Sequence, residues 1–481
     1  MRRTDDKKNI IILMLDTARA DDVYDDHALH TLNYLTRNGT NYVHAISPGA
    51  WTATSHASLF TNNLVSNIRQ VSKNFFGRNS IDLWFANIKF LNDNQETLAS
   101  KLSRHGYYST LFSNNPFLTS FTNLALGFNK VYDLWLYTNT KYVSGFAEKL
   151  LFLAKKAPEN KEKIYKLVNA ISRLIPSRLL DRAYINSRKR LYETVAKFDG
   201  SSKLDKGASD INRVLNRYLA EDYSYLPQFI FVNYMEPHEH YPVRSPIPTP
   251  DKWLHLSGVS RLSESDLEKL HDGYKRRLRY LDGAVGKTIA IMKKHGLLDN
   301  AVLVVTSDHG QFFGEHGMLY HSLFPYEEQT HVPLLAVNFE NGRLIKTKEV
   351  VDNTVNITSL YDSVLGIASG KDAMLNGNLK TPRHVFSEHT GLMDGSDEML
   401  LKLLKSRSTY ASRIYAAKEN YNMPATAIYH NNLKMIHYFG RKQDELYDLA
   451  EDKREEENLI QSSRFEAHAM LNGYAAVKKN N

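Results

Sequence analysis

Acidic and imidazole side chains follow two short apolar segments of this chain, at the point where each segment ends. Asp16 comes directly after Asn9–Leu15, and Asp308 and His309 come shortly after Ala301–Thr306. Carboxylate oxygen and imidazole nitrogen are ligands that suit divalent cations such as Zn or Mn. Taken alone, Asp16 is better interpreted as a cap or turn residue, and only the joint pattern indicates chemistry.

A third apolar segment, Gln228–Val232, is followed by Glu236, His238 and His240. In open α/β sheets, ligands bind beyond the carboxyl ends of the parallel strands. Three such segments would therefore bring their acidic and imidazole groups to one edge of one sheet. This arrangement predicts a site for a divalent cation at that edge.

Hydroxyl residues are concentrated between residues 47 and 61, in a segment that is typical of a loop entering a helix. The first turn of a helix offers free N–H groups and a partial positive charge, which favour an anionic ester. A hydroxyl such as that of Thr52, placed beside a cation, can ionise and attack phosphorus or sulfur. The simpler interpretation is that Thr52 or Ser55 caps the helix.

These residues need a scaffold, and the rest of the chain predicts one. Four apolar segments are predicted to be buried parallel strands: Asn9–Leu15, Tyr107–Phe112, Gln228–Val232 and Ala301–Thr306. Two helical patterns end at glycines: Glu96–His105 before Gly106, and Leu267–His295 before Gly296. Alternating strands and helices imply a mainly parallel sheet covered on both faces.

Two further regions differ in character from this alternation. Residues 139–222 have little strand signal and much Lys, Arg, Leu and Tyr at helical spacing, as in Ser187–Lys197, which predicts a helical insertion. After about residue 370 an alternating strand pair around Ala427–Phe439 predicts a small antiparallel subdomain. The expected division is a catalytic domain over residues 1–370 and a C-terminal subdomain over residues 371–481.

Composition limits the possible chemistry and partners. The 481 residues contain no cysteine, which excludes disulfides, thiolate metal ligands and cysteine nucleophiles. The net charge is +8, but the basic residues between Lys155 and Lys206 are mixed with acidic ones, a pattern typical of solvated helix faces that disfavours nucleic acid as a partner. The start of the chain does not resemble a signal peptide, and no stretch approaches the ~20 apolar residues of a membrane span. We therefore expect a soluble cytoplasmic protein.

Several motifs resemble those of the sulfatase family of the alkaline phosphatase superfamily, and they occur in family order over nearly the whole chain. In chain order they are Leu15–Asp21, Trp51–Thr61, Gly106–Tyr107, Asn114–Pro116, Ser307–Gly310, Gly314–Gly317, Val332–Leu335, Glu445–Leu449 and Asn458–Leu459. The resemblance implies an α/β sandwich of the alkaline phosphatase type and hydrolysis of an anionic ester, with a saccharide or lipid head group as a possible carrier of that ester.

The same resemblance implies roles for individual residues. Asp16, Thr52, Asp308 and His309 would bind one metal ion, with Zn or Mn expected and Ca an alternative. His238 and His321 would contact the substrate or protonate the leaving oxygen, and Asn115 would reach an ester oxygen. Glu236 and His240, with the same two histidines, are candidates for a second ion. His316 and His331 are interpreted as structural.

The chain departs from the formylglycine sulfatases at the nucleophile. Their Cys or Ser, Pro and Arg are replaced by Thr52, Thr54 and His56, and their frequent Asp-Asp pair by Asp16-Thr17. Threonine cannot become formylglycine, so the layout resembles instead the phosphodiesterase, phosphonate hydrolase and phosphoglycerol transferase branch. Direct attack by Thr52, followed by hydrolysis of the threonine ester, is the mechanism this implies. A transferase with an alcohol acceptor and a non-catalytic binding protein are the alternatives.

Overall fold

The structure is a computed structural model, and it describes most of the chain. The described residues are 7–68, 89–134, 176–198, 203–221, 226–371, 375, 377, 379–391, 401, 404–406, 408–440 and 442–480. Among them, no helix is both long enough and apolar enough to cross a bilayer.

The strands of the described residues belong to one large sheet and three smaller ones. In chain order they are β1 (Asn9–Leu15), β2 (Thr40–Tyr42), β3 (Ala45–Ile46), β4 (Tyr108–Ser113), β5 (Lys130–Asp133), β6 (Gln228–Tyr234), β7 (Asn300–Thr306), β8 (Phe312–Phe313), β9 (Leu319–Tyr320), β10 (His331–Val332), β11 (Leu334–Glu340), β12 (Arg343–Ile345), β13 (Glu349–Val351), β14 (Val355–Asn356), β15 (Val385–His389), β16 (Ala425–His430), β17 (Leu433–Tyr438) and β18 (Glu445–Asp448).

Helices lie between most of these strands. In chain order they are α1 (Ala20–Asp25), α2 (His30–Asn38), α3 (Thr52–Thr61), α4 (Leu98–Arg104), α5 (Ser177–Phe198), α6 (Ala208–Ala220), α7 (Lys252–Leu256), α8 (Glu264–Lys294), α9 (Glu327–Thr330), α10 (Leu360–Ala368), α11 (Thr409–Tyr421) and α12 (Arg464–Asn480).

The large sheet has the strand order β13-β2-β11-β7-β1-β6-β4-β5, with β12 paired to β11. Strand β1 lies at its centre and pairs in parallel with β6 and β7. Strand β4 continues the parallel part beside β6, whereas β11 is antiparallel to β7. The four predicted strands and the mainly parallel sheet are therefore confirmed, and the carboxyl ends of β1, β6 and β7 meet at one edge.

Both faces of the sheet are covered, as the continuous apolar strands predict. Along β1, Ile10, Ile12 and Met14 pack into a core that includes α3, α4 and α10. The alternate residues of β1 face a second core that includes α2, α6 and α8. Every residue of β1 is buried, and this packing fixes the position of the carboxyl end of the strand.

Capping residues set where the two predicted helices begin. Ser263 accepts a hydrogen bond from the backbone of Asp266 and starts α8 three residues earlier than predicted. Thr97 caps α4 in the same way, so that helix begins two residues later than predicted. Gly106 and Gly296 follow the helix ends with φ of 81° and 72°, values that glycine adopts readily.

The C-terminal part of the chain forms a separate antiparallel sheet, β15-β16-β17-β18. Its strands β16 and β17 confirm the strand pair predicted around Ala427–Phe439. The predicted helical insertion, residues 139–222, contains the helices α5 and α6 in its described parts. Residues 139–175, 199–202 and 222 lie outside the described residues. The division into domains at residue 370 stays a prediction.

A buried ionic cluster joins this small sheet to the main body. Lys434 on β17 is fully buried and lies 2.9 Å from Glu327 Oε1 and 2.8 Å from Glu455 Oε1. Burial opposes the charged form of Lys434, but Glu327 and Glu455 raise the pKa of its ammonium above the ordinary value. Tyr429 adds a hydrogen bond of 2.7 Å to Glu327, the first residue of α9. The small sheet is therefore bound to α9 through charge.

We expect Lys434→Met to lower the free energy of unfolding by about 3–5 kcal/mol, because it leaves the fully buried carboxylate of Glu455 and the largely buried carboxylate of Glu327 without their ammonium. Chemical denaturation monitored by circular dichroism measures this difference. Lys380→Met is the matched control, because Lys380 forms an ion pair with Asp362 at a side-chain exposure of 80%. A change of about 1 kcal/mol or less is expected there, and equal losses in the two variants would contradict the role of the cluster.

Candidate active site

One ligand atom from each of Asp16, Asp308 and His309 lies within 4.8 Å of the others at the carboxyl edge of the large sheet. Asp16 directly follows β1, and the other two follow β7, its neighbour in the sheet. All three side chains are fully buried. The structure thus brings together Asp16, Asp308 and His309, which were predicted to meet at the carboxyl ends of their strands.

The hydrogen bonds of these residues leave one atom of each without a partner. Asp308 Oδ1 accepts from the backbone N–H groups of Thr17 and His309, at 3.2 and 3.0 Å. His309 Nδ1 lies 2.9 Å from the carbonyl oxygen of Gly310, which fixes its hydrogen on that nitrogen. Asp16 Oδ1, Asp308 Oδ2 and His309 Nε2 have no hydrogen-bond partner. Three buried ligand atoms without hydrogen-bond partners, all within 4.8 Å of one another, form a donor set that could hold a divalent cation.

Burial dominates the electrostatics of this cluster. It raises the pKa of Asp16, and the neighbouring carboxylate of Asp308 raises it further. Burial also raises the pKa of Asp308 to about 6 and lowers that of His309. Two carboxylates in a dry site repel each other, and a cation between them would hold both in the charged form.

Thr52 is the first residue of α3, and it is nearly fully buried. Its Oγ1 donates toward Asp16 Oδ2 at 3.4 Å. The residue that precedes the helix is Trp51, and no side chain caps the helix there. Ser55 donates instead to the carbonyl oxygen of Gly49 at 2.9 Å. Capping by Thr52 or Ser55, the simpler interpretation of this segment, is therefore wrong.

Asn115 follows β4 and directs its amide into the same cluster. Its Nδ2 donates to Asp16 Oδ2 at 2.7 Å and lies 3.4 Å from Thr52 Oγ1. The amide therefore orients the Asp16 carboxylate beside the hydroxyl. Its predicted contact with a substrate oxygen stays a prediction.

His56 was not among the predicted site residues, although it lies one helical turn after Thr52. Its Nδ1 is 2.8 Å from the carbonyl oxygen of Thr52 and 3.7 Å from Asp308 Oδ2. Burial lowers the pKa of His56 to about 4, so the ring is neutral, and it packs against the first turn of α3. The i, i+4 spacing in the predicted helix is the signal that could have identified it.

A second cluster lies beside the first and consists of His238, Glu239 and His321, again with ligand atoms within 4.8 Å. Glu239 Oε2 lies 3.1 Å from His321 Nδ1 and 3.4 Å from His238 Nδ1. The rings of His309 and His321 stack with their centroids 4.8 Å apart, which joins the two clusters. Both histidines that were predicted to be catalytic, His238 and His321, therefore lie in the second cluster, directly beside the first.

Charge holds this second cluster together. Burial alone would raise the pKa of Glu239, but His238 and His321 hold it well below the ordinary value. Lys206 Nζ donates to the carbonyl oxygens of Glu239 and His238, at 2.6 and 3.2 Å. Arg277, which is fully buried, donates from Nη1 to the carbonyl oxygen of His238 at 3.0 Å. Two cationic side chains therefore fix the backbone of the loop after β6.

The structure does not bring Glu236 and His240 into either cluster. Glu236 Oε1 accepts from the backbone N–H groups of Lys206 and Ala208, at 3.0 and 2.8 Å, at the start of α6. Burial raises the pKa of Glu236 to about 7. The ring of His240 instead meets the ring of Tyr192 at 4.6 Å. The acidic residue that joins the histidines is Glu239, which sequence reasoning missed.

Two other histidines of the same region lie in different surroundings. The ring of His316 stacks on that of Tyr326 at 3.8 Å, and its Nε2 is 3.4 Å from Glu328 Oε2. His331 Nε2 lies 2.7 Å from the carbonyl oxygen of Val43. His316 also forms, with Glu328 and Glu455, a third group whose ligand atoms lie within 4.8 Å of one another, so the structural interpretation of His316 and His331 stays a prediction.

A mostly parallel sheet, covered on both faces and extended by a small antiparallel sheet, defines an α/β protein of the alkaline phosphatase type. The sulfatase family model matches residues 8–370, and the chain belongs to the sulfatase family.

Individual relatives are similar at low identity. Arylsulfatase K of Canis lupus familiaris is 28% identical over 110 residues, 23% of this chain, and the match spans only 20% of that protein. A solved 2-O GAG sulfatase shares the fold with a TM-score of 0.64 and 15% identity, covering 98% of this chain and 93% of its own. The phosphonate monoester hydrolase of Agrobacterium radiobacter has a TM-score of 0.60 and 17% identity, covering 98% and 96%. At these identities the two structures establish the shared fold alone.

Proposed function

We propose that this protein hydrolyses phosphate or sulfate esters, with the hydroxyl of Thr52 as the nucleophile. The observation that supports this most directly is the position of Thr52 Oγ1, 3.4 Å from Asp16 Oδ2 and beside the three orphaned ligand atoms. The hydroxyl lies at the first residue of α3, where backbone N–H groups favour an anionic ester. Nucleophile and anion site thus coincide.

The residues that would hold a divalent cation are Asp16, Thr52, Asp308 and His309. Zn or Mn fits their oxygen and nitrogen donors best, and Ca is the alternative. Such a cation, when bound, lowers the pKa of a neighbouring hydroxyl and offsets the charge that develops on the ester.

The protein's own groups then account for two displacement steps. Thr52 passes its hydroxyl proton to Asp16 Oδ2, the acceptor of its hydrogen bond, and its Oγ attacks the phosphorus or sulfur atom while the bond to the leaving oxygen breaks. His238 or His321 supplies the proton that the leaving oxygen takes. Water then attacks the threonine ester and returns a proton to that histidine, while Thr52 Oγ leaves, recovers its proton from Asp16, and the acid is released. Asn115 holds Asp16 in place through both steps.

The absence of formylglycine chemistry affects which ester reacts fastest. A formylglycine hydrate expels sulfate by C–O cleavage, whereas a threonyl sulfate has no such route and needs attack at sulfur. Phosphoryl groups also carry more negative charge for a helix N-terminus and a cation to stabilise. We therefore expect phosphodiesters or phosphomonoesters to exceed matched sulfates in kcat/KM.

The comparison uses p-nitrophenyl esters, so that the leaving group is the same throughout, with saturating Mn or Zn. Higher kcat/KM for the sulfate than for both phosphate esters would contradict this expectation. Because the fold neighbour with the TM-score of 0.64 is named a 2-O GAG sulfatase, sulfated and phosphorylated saccharides are the natural esters to screen next. Product analysis with a glycan or glycerol acceptor present separates hydrolysis from transfer.

A further inference from the structure

The two neighbouring clusters differ in how far their side chains reach solvent. Asp16, Asp308 and His309, the first cluster, are fully buried. The side chains of His238 and His321 in the second cluster have relative exposures of 21% and 12%. An anionic ester bound at the first cluster must therefore keep its organic part on the side of these two histidines, where the site reaches solvent.

Three further rings lie on that side of the site. Tyr320 directly precedes His321, and His240 follows His238 by two residues. The ring centroids of His240 and Tyr320 are 6.3 Å apart, and those of His240 and Tyr192 are 4.6 Å apart, with an angle of 85° between the latter two rings. The hydroxyl oxygens of Tyr192 and Tyr320 are 3.4 Å apart. Tyr192, His240 and Tyr320 thus form one aromatic wall that adjoins the two histidines.

Tyr192 reaches this wall because one face of α5, a helix of the insertion, is anchored to the rest of the protein. That face carries the residues Asp181, Ile185, Arg188 and Tyr192, at helical spacing. Asp181 accepts at 3.2 Å from a backbone N–H at the start of α11, and Ile185 packs against an apolar cluster that includes residues of α7 and α11. Arg188 Nη2 lies 2.8 and 3.1 Å from the two carboxylate oxygens of Asp251, the residue that caps α7. The fourth residue of the face is therefore held in a fixed place.

We propose that the aromatic wall binds the alcohol part of the ester and selects an alcohol that contains a ring, with Tyr192 as the specificity-determining residue. The proposal rests on the proposed function, because the anion held beside Thr52 directs the rest of the substrate toward the wall. Tyr192 and His240 are half-buried. A tyrosine ring in such a position packs against the apolar face of a sugar or aryl ring at a low cost in side-chain entropy. An acyclic alcohol has no such face to offer.

The test measures Kd by isothermal titration calorimetry for benzylphosphonate and methylphosphonate, in protein loaded with Mn or Zn. Both probes carry the same anionic group, only the first contains a ring, and neither has an ester bond to break. The wild type should bind benzylphosphonate more tightly than methylphosphonate. Tyr192→Ala should weaken binding of benzylphosphonate about tenfold and leave that of methylphosphonate unchanged, because the substitution removes a ring contact.

Two further variants separate the ring from other effects. Tyr192→Phe keeps the ring and loses the hydroxyl beside Tyr320, so it should bind both probes as the wild type does. Tyr132→Ala is the matched control, because Tyr132 is also half-buried but stacks on Phe112 at 4.9 Å, on the edge strand β5. It should leave both Kd values unchanged.

Three results would overturn the proposal. They are equal weakening of both probes in Tyr192→Ala, a loss in Tyr192→Phe as large as that in Tyr192→Ala, and a wild type that does not prefer benzylphosphonate. The Kd values need no turnover. A wild type that binds the probes as expected but hydrolyses no ester would therefore reject the proposed function and leave the ring contact standing.

Discussion

Thr52→Ala is expected to abolish turnover and to leave the fold intact. The substitution removes only the hydroxyl and a methyl group at the first residue of α3, and alanine is favourable in a helix. No other hydroxyl among the described residues is seen beside both Asp16 and the amide of Asn115. Loss of a nucleophile typically lowers kcat by a factor on the order of 10³–10⁶.

The measurement is kcat on the best ester found by screening, with circular dichroism and thermal unfolding to show that the fold is retained. Thr61→Ala is the matched control, because Thr61 lies at the other end of the same helix and donates to the carbonyl oxygen of Ala57 at 2.7 Å. The control should keep near-wild-type rates. If Thr52→Ala kept them too, the assignment of the nucleophile would be wrong.

Removal of divalent metal is the second change with a large expected effect. Chelator-treated protein should be inactive, and Mn or Zn should restore activity, because Asp16 and Asp308 repel each other without a cation between them. Elemental analysis of protein purified without chelator should find roughly one equivalent of a divalent ion. Asp308→Asn and His309→Ala should each lower both the bound metal and the activity.

A readout independent of catalysis is the melting temperature. A cation that binds the folded state alone raises Tm with its concentration, and this rise should be lost in His309→Ala. His437→Ala serves as the control, because His437 pairs with Asp444 at 2.9 Å within the small sheet. Full activity in metal-free protein, or the same metal-dependent rise in Tm for His309→Ala and the wild type, would reject this site.

Much of the fold could be predicted because it depends on local patterns. The apolar run of β1 is buried along its whole length, and its end fixes where Asp16 lies. Asp308 and His309 follow the neighbouring strand in the same way, so strand order alone brings them together. The first residues of α4 and α8 lie two and three residues from their predicted positions, because the hydroxyls of Thr97 and Ser263 cap these helices.

The loop after β6 could not be predicted, because a loop has no side-chain period. Beyond Tyr234 the regular alternation of the strand stops, and sequence alone does not say which of two nearby glutamates turns inward. Glu236 turns to the start of α6, where two backbone N–H groups need an acceptor. Glu239 is drawn to His321, a residue 82 positions later in the chain, and such a contact leaves no trace in local sequence. The cytoplasmic location likewise stays a prediction.

The cluster around Lys434 bears on how this chain can be divided. The backbone N–H groups of Gln311 and Gly310 donate to the carbonyl oxygens of Glu328 and Gln329, respectively. Gly310 and Gln311 directly follow His309 of the first cluster. The helix that contains these acceptors begins at Glu327, whose carboxylate depends on the ammonium of Lys434. A recombinant fragment that ended near residue 370 would contain every side chain of the two clusters. It would nevertheless lack the counterion of Glu327, a largely buried acid that begins the helix supporting the segment after His309, so residues 371–481 belong to the working unit.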